Sequence, residues 1–196
     1  MQAAATARFI SIVGHPLVVL PASAFGLAYS MGAPMARLSF IAGLSLVGLA
    51  LLLWARANVR RGQWDHIDAS HPRERGQWNA AVLVVLFVLV ALCWAIDRPL
   101  AAGPLAALVV IACSIALSRW MKPSQHVAFA VLAAFVAGMA SWLAGSVFAA
   151  LALAVAWSRL VLKRHVTSEI AVGALVGGLA GATFIAVLSM LIRGSL

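Results

Sequence analysis

Long apolar stretches alternate with short polar clusters along the 196 residues of this chain. A membrane-spanning helix needs roughly 20 apolar residues, and about seven runs come close to that length. They cover residues 9–31, 38–55, 79–97, 100–117, 124–143, 146–165 and 167–192. The pattern predicts an all-α, polytopic transmembrane helical bundle with about six to seven spanning helices. We interpret residues 1–196 as a single integral-membrane domain.

Glycine and proline predict where the helices end, because proline removes a backbone donor and glycine relaxes the backbone. We expect breaks at Gly32–Pro34, at Asp97–Pro99 and at Gly145. Only 31 residues, 127 to 157, separate His126 from Ser158. Two crossings and a turn fit there only if each helix carries its polar motif on its own end.

Composition supports the membrane assignment and narrows the partners. Hydrophobic residues make up 64% of the chain and charged residues 10%, which is too apolar for a soluble domain of this size. The net charge of +9 does not indicate a nucleic-acid partner, because the cations stand at the ends of apolar runs. A membrane surface and an anionic lipid headgroup explain them better.

Three polar clusters fall on one side of the predicted threading: Asp65–Arg75, Lys122–His126 and Ser158–Glu169. Of the 14 Lys and Arg residues, only Arg37, Arg98 and Arg193 fall on the opposite side. The positive-inside rule therefore predicts that the cluster side is cytoplasmic, in a bacterial inner membrane. We expect the active site at this membrane face.

The third cluster holds the most chemistry. His165 and Glu169 are four residues apart and share one face of a helix that we predict to begin near Arg164. The carboxylate would fix the imidazole tautomer and leave the other ring nitrogen free to attack. Arg159 offers a planar fork of donors for phosphate oxygens. The alternative is an interfacial helix end on which Glu169 only pairs with Lys163 or Arg164.

The second cluster predicts a helix start that binds an anion. Ser124 follows Pro123 and is a natural N-cap, and a helix N-terminus presents unpaired N–H groups. Lys122 adds a positive charge, and His126 in the first turn is placed to protonate a leaving oxygen. The alternative is an ordinary capped helix with an incidental histidine.

The first cluster leaves three hypotheses open. Arg73 and Arg75 would complete a phosphate site, with Asp65 and Asp68 ordering the loop. The two aspartates would instead bind Mg²⁺ on a diphosphate, as in a membrane prenyl or lipid transferase. The third hypothesis is a solvated charged loop. We interpret His15, beside Pro16, as a hydrogen-bonded residue of the bundle.

Glycines in the last apolar run continue the row of His165 and Glu169. Gly173, Gly177 and Gly181 recur every four residues, and small residues at this spacing let helices approach closely. We expect this row to pack the last helix against a neighbour. A homodimer interface is the lesser possibility.

Two of the clusters resemble signature motifs of the type 2 phosphatidic acid phosphatase family, the membrane lipid phosphatases related to vanadium haloperoxidases. The family motifs read roughly PSGH and SRxxxxxHxxxD, and the resemblance covers about the C-terminal two-thirds of the chain. The matching residues are Pro123, Ser124, His126, Ser158, Arg159 and His165. Gln125 replaces a glycine and Glu169 an aspartate. The usual Lys-x6-Arg-Pro motif is absent, and Asp65–Arg75 resembles the Asp…Arg-x-Arg loop of some short members.

The resemblance implies a metal-independent phosphatase that acts on a lipid phosphate or diphosphate through a phosphohistidine and needs no cofactor. It implies that His165 attacks phosphorus, that Glu169 orients it and that His126 protonates the leaving group. The phosphate-binding residues it implies are Lys122, Ser124, Arg159, Arg73 and Arg75. A Mg²⁺-dependent transferase and a non-enzymatic membrane scaffold remain as alternatives. Phosphatidate, phosphatidylglycerophosphate, isoprenyl phosphate and isoprenyl diphosphate all fit as substrates.

Overall fold

A computed structural model describes residues 2–67 and 71–193, and all regular structure in these ranges is helical. The helices are α1 (Gln2–Val13), α2 (Pro16–Ser30), α3 (Met35–Arg60), α4 (Pro72–Ile96), α5 (Ala102–Leu117), α6 (Gln125–Ala140), α7 (Trp142–Val161) and α8 (Thr167–Arg193). A 3-10 turn at Arg98–Ala101 leads into α5. The prediction of an all-α, polytopic bundle is confirmed.

Helix length decides how many elements can cross a bilayer. Five are long and apolar enough: α3, α4, the 3-10 turn with α5, α7 and α8. The α1–α2 pair, bent by 51°, would make a sixth. With 16 residues, α6 is about 24 Å long, against roughly 30 Å of hydrocarbon. The described residues thus hold five or six spans, and the upper end of the predicted range is not reached.

The first apolar run contains two helices, where the sequence predicted one. His15 has an extended backbone (φ −64°, ψ 138°), and its Nδ1 accepts a hydrogen bond from the Leu17 N–H. Pro16 occupies the first helical position, where its missing N–H costs nothing. The apolar run continues on both sides of residues 14–16, so hydrophobicity does not reveal that one helix ends and the next begins there.

The predicted break at Gly145 is wrong, because the chain turns at Ser141. Ser141 is extended, and its hydroxyl accepts the Ala144 N–H to cap α7. Gly145 lies inside α7 and faces Gly138 of α6 so closely that an added Cβ would stand 2.8 Å from the Gly138 Cα. The two glycines let the helices meet at a one-residue hairpin. As predicted, His126 and Arg159 lie on the helix ends away from this hairpin.

The centre of the bundle is α6, which packs against α2, α7 and α8. In contrast, α3 packs mainly on α2, and α4 on α5 and the 3-10 turn. Over their described lengths, 35–60 and 72–96, α3 and α4 make at most a weak helix–helix contact. They leave a lateral gap on one side of the bundle.

The gap between α3 and α4 is closed at both ends. At the cluster end, Trp54 of α3, Trp64 of the connecting loop and Trp78 of α4 pack with ring centroids 5.0 to 6.5 Å apart. The Trp64 indole N–H also donates to Gln77 Oε1 at 2.8 Å. At the opposite end, Arg37 pairs with Asp97. The gap is therefore a window framed by contacts at both membrane faces.

The glycine row of α8 packs against α6, which confirms the packing prediction. A Cβ at Gly173 would stand 2.7 Å from the Ser124 carbonyl oxygen, and one at Gly177 would stand 2.4 Å from that of Ala128. At Gly181 it would stand 2.3 Å from the Phe135 ring. Real Cβ atoms are essentially never this close to other heavy atoms. The backbones of α6 and α8 can approach each other only because these positions lack side chains.

We expect Gly177→Ala to destabilise the protein, because the new methyl group meets the backbone of α6. Overpacking of this kind costs about 1–3 kcal/mol. Gly178→Ala is the matched control: nothing lies within 4 Å of its Cβ, so the added methyl group should be neutral or mildly stabilising. Thermal unfolding in detergent measures both, and equal melting temperatures for the two variants would contradict the close packing.

Candidate active site

Hydrogen bonds join the three polar clusters at one end of the bundle. The Ser124 N–H donates to the Glu169 carbonyl at 3.0 Å, which ties the second cluster to the third. Arg164 Nη2 donates to His66 Nε2 at 2.8 Å, which ties the third cluster to the first. Gln125 Nε2 donates to Asn79 Oδ1 at 2.9 Å and links α6 to α4 just beyond the first cluster. The predicted convergence of the clusters at one face is confirmed.

The turn between α7 and α8 is held in an unusual backbone conformation. Lys163 has a left-handed φ of 53°, where helix ends usually place glycine. The Arg164 N–H bonds to the Arg159 carbonyl at 3.0 Å, and the Lys163 N–H to the Leu160 carbonyl at 2.9 Å. These two bonds form a Schellman motif. This closed turn fixes the direction in which His165 leaves α7.

His165 and Glu169 form the predicted pair, although His165 lies in the turn before α8 rather than on the helix. The His165 Nδ1–H donates to Glu169 Oε2 at 2.8 Å, and only 5% of the His165 side chain is exposed. The same carboxylate oxygen accepts the Val166 N–H at 3.3 Å, as an acid in a first helical turn often does. The carboxylate thus fixes the ring, with the proton on Nδ1 and Nε2 available as a nucleophile.

Burial lowers the pKa of the His165 imidazole below its ordinary value of 6.5. The hydrogen bond to Glu169 acts in the opposite direction and raises the pKa, whereas the charges of Arg159 and Lys122 lower it. A nucleophilic imidazole must be neutral, and burial together with the two cations favours that form. The same cations would attract an anionic substrate.

Arg159 enters the site from the last turns of α7 and is only 4% exposed. Its Nη1 donates to the Ser11 hydroxyl at 3.0 Å, so α1 helps to hold it. Close by, Gly14 packs against Val155 of α7, where an added Cβ would stand 2.1 Å from a methyl carbon. The connection between α1 and α2 therefore reaches into the candidate site.

His126 lies in the first turn of α6, as predicted, and faces another histidine. The rings of His15 and His126 meet edge to face, with centroids 5.1 Å apart and an interplanar angle of 86°. Both residues line the cavity at the site. The interpretation of His15 as a bundle residue missed this contact.

A cavity of about 530 Å³ runs from the polar clusters into the bundle. Residues from α2, α3, α4, α5 and α6 line most of it, with Phe184 from α8. The charged and histidine side chains that line it are His15, Arg75, Lys122, His126, Arg159, Arg164 and His165. Beyond them its walls are mostly apolar. Along α5 the cavity extends from Ser118 to Gly103, about 22 Å at 1.5 Å per residue.

Two predicted phosphate-binding side chains are not among the cavity-lining residues. Arg73 is exposed, and Ser124 is fully buried beneath α8. Ser124 occupies the N-cap position of α6, but its hydroxyl makes no hydrogen bond to the helix or to another described residue. Of the five predicted phosphate-binding residues, the structure brings Lys122, Arg159 and Arg75 together at the cavity.

The acids of the first cluster organise their own loop. Glu74 accepts the Asp65 N–H at 2.8 Å and the His71 N–H at 3.2 Å. The His71 ring pairs with Asp65 at 2.8 Å. Ligand atoms of these three residues lie within 4.8 Å of one another, but none of the three lines the cavity. Asp68, the other member of the predicted Mg²⁺ pair, lies outside the described residues.

No protein-family profile, curated protein or solved structure matches this chain. The resemblance to lipid phosphatases therefore rests on the two sequence motifs, and only the geometry of the site bears on it further.

We expect the low pKa of His165 to be measurable directly. A lowered pKa means that the ring stays neutral as the pH falls below about 6.5, where an ordinary histidine takes up a proton. NMR titration of histidine-labelled protein, with His165→Asn to assign the signal, measures the midpoint. Glu169→Gln removes the group that raises the pKa, so the midpoint should move still lower. A midpoint at or above the ordinary value, or an upward move in Glu169→Gln, would contradict the arrangement.

Proposed function

We propose that this protein is a metal-independent phosphatase that releases phosphate from a lipid phosphate through a phosphohistidine. One observation carries the proposal: the His165–Glu169 pair lies at the polar end of a cavity whose other walls are mostly apolar and which lies within a membrane bundle. A lipid phosphate has the same two parts, an anionic head and an apolar tail. The resemblance of the motifs supports the same conclusion.

In the proposed first step, His165 Nε2 attacks phosphorus, and the bond from phosphorus to the lipid oxygen breaks. His126 gives its proton to that oxygen, so the lipid leaves as an alcohol. Glu169 holds the proton on Nδ1 and stabilises the imidazolium that forms. In the second step, water gives its proton to His126 and attacks the phosphohistidine. Inorganic phosphate leaves, and both histidines return to their starting states.

Cations at the cavity would hold the phosphate oxygens while charge develops on them. Lys122 and Arg159 are the two cations whose charges act on the His165 ring, and Arg75 and Arg164 also line the cavity. The N-terminus of α6 adds backbone N–H groups behind Ser124. With four cations in the wall, a phosphate would be neutralised without a metal ion.

The tail of the substrate would occupy the apolar part of the cavity and enter through the window between α3 and α4. Each of these helices packs on a single side, so a lipid tail can pass between them without separating the α6–α8 core. The tryptophans at the cluster end of the window would lie beside the headgroup, where indole rings prefer to be. The cytoplasmic orientation of this face remains a prediction from the distribution of charge.

We expect His165→Ala to abolish phosphate release from lipid phosphates while the protein stays folded, since it removes the attacking atom. His71→Asn is the matched control: it changes an exposed loop histidine outside the cavity and should keep nearly all activity. Release of inorganic phosphate by the purified protein, assayed over a panel of lipid phosphates, measures both variants.

The same assay tests the metal hypothesis. EDTA should leave the rate nearly unchanged, because side chains supply the positive charge. Activity in His165→Ala, on any substrate of the panel, would remove the nucleophile assignment. A strict Mg²⁺ requirement that is lost in Asp65→Ala would favour the transferase alternative.

We expect Gly103→Trp to discriminate against long tails. Gly103 lines the far end of the cavity, and nothing lies within 4 Å of an added Cβ, so an indole would fill space that the tail needs. The loss in kcat/KM for a long-chain lipid phosphate should be about tenfold or more, as expected when apolar contacts are removed. A short-chain, water-soluble phosphate should react at the wild-type rate. Gly43→Trp, which also meets open space but lies outside the cavity, should leave both rates unchanged.

A further inference from the structure

The end of α1 and its connection to α2 bring two side chains to the candidate site, and both lie outside the two-thirds of the chain that resembles the family. Ser11 accepts a hydrogen bond from Arg159, and His15 packs edge to face on His126. Gly14, between them, is pressed against Val155, which holds the connection against α7. These contacts lie on the two residues that would bind phosphate and protonate the leaving group.

We propose that His15 is a positioning residue for the leaving-group acid His126. The inference rests on the proposed function and adds one residue to those that would support the proposed reaction. His15 acts through the ring of His126 and carries out no step itself. Its contribution is to keep the His126 imidazole at the angle from which the proton reaches the lipid oxygen.

The orientation of His15 is fixed by the backbone, which suits it to this role. Its Nδ1 accepts the Leu17 N–H as the N-cap of α2, so Nδ1 carries no proton in the neutral ring. Pro16 fixes the next backbone angle. A ring anchored in this way gives His126 a firm partner, because edge-to-face packing is directional.

A helix cap alone is the simpler explanation for His15, and it makes a different prediction. Asparagine is among the best N-cap residues, so His15→Asn would preserve a cap while removing the ring. If capping were the only role, His15→Asn would behave like the wild-type protein. If the ring positions His126, this variant loses only the part of the rate that depends on the acid.

The experiment compares two substrates in detergent: a lipid alkyl phosphate, whose leaving oxygen needs a proton, and an aryl phosphate, whose leaving group does not. General acids commonly contribute about 10²–10⁴-fold, and a displaced acid loses part of that. We expect His15→Asn to lower turnover of the alkyl phosphate about tenfold and that of the aryl phosphate less than about twofold. His15→Phe, which keeps an aromatic edge and loses the cap, should be less stable and retain more of the alkyl rate.

A double-variant cycle with His126→Ala separates positioning from general damage. In the His126→Ala background, His15→Asn should cause no further loss on the alkyl phosphate, because the residue it acts through is gone. Equal losses on both substrates, additive losses in the double variant, or an unchanged His15→Asn protein would overturn the inference. If His15→Asn behaved like the wild-type protein while His165→Ala was inactive, the inference would fail and the proposed function would stand. A wild-type protein that releases no phosphate would overturn both.

Discussion

The backbone contact between α6 and α8 sets the geometry on which the candidate site depends. Three glycines, four residues apart, remove the side chains that would hold the helices apart, and the Ser124 N–H bonds to the Glu169 carbonyl as a result. His126 follows Ser124 by two residues, and His165 is bonded to the Glu169 side chain. A single close helix pair therefore fixes the proposed nucleophile and the proposed acid relative to each other. Widening that pair would move both at once.

The periphery of the bundle is built in the opposite way. The buried residues of α3 and α4 recur about every seven positions, as in Ile41, Gly48 and Ala55 or in Leu86 and Cys93. Such narrow stripes attach each helix mainly to one side of the bundle and leave most of its other faces to the lipid. Local stability follows contact, so α3 and α4 are the elements best able to move while the α6–α8 core stays fixed. The proposed lipid phosphatase would need both properties, a rigid reacting centre and a wall that admits its substrate.

Much of this arrangement could be predicted from the sequence, and the failures have identifiable physical causes. Apolar runs of spanning length and polar clusters at their ends determined the bundle and the shared face. The His165–Glu169 pair followed from its spacing, even though His165 lies just outside α8. The Gly14-His15-Pro16 sequence is typical of a helix break. The apolar run from 9 to 31 nevertheless led to the prediction of one continuous helix.

Other features depend on tertiary structure and could not be predicted from spacing alone. Arg73 and Arg75 are two positions apart, about 200° around a helix, so α4 can direct only one of them into the cavity. From the sequence alone, both arginines are equally good candidates for binding phosphate. Gln125, which stands where the family motif has glycine, donates a hydrogen bond to Asn79 and ties α4 to α6. The edge-to-face contact of His15 with His126 joins positions more than a hundred residues apart, which no local pattern reports.

The one-residue hairpin at Ser141 has a consequence for depth. From this common point α7 runs for 20 residues and α6 for 16, a difference of about 6 Å at the cluster face. Trp142, 80% exposed beside the hairpin, suits the opposite interface, where indole rings collect. With the hairpin at that level and both helices along the membrane normal, the N-terminus of α6 and His126 would lie deeper in the membrane than the end of α7. A phosphate already attached to a lipid needs to sink only a few ångströms to arrive there. A dissolved phosphate ester would have to leave bulk water to make the same descent, so in the proposed reaction the recess would favour substrates that the membrane already holds.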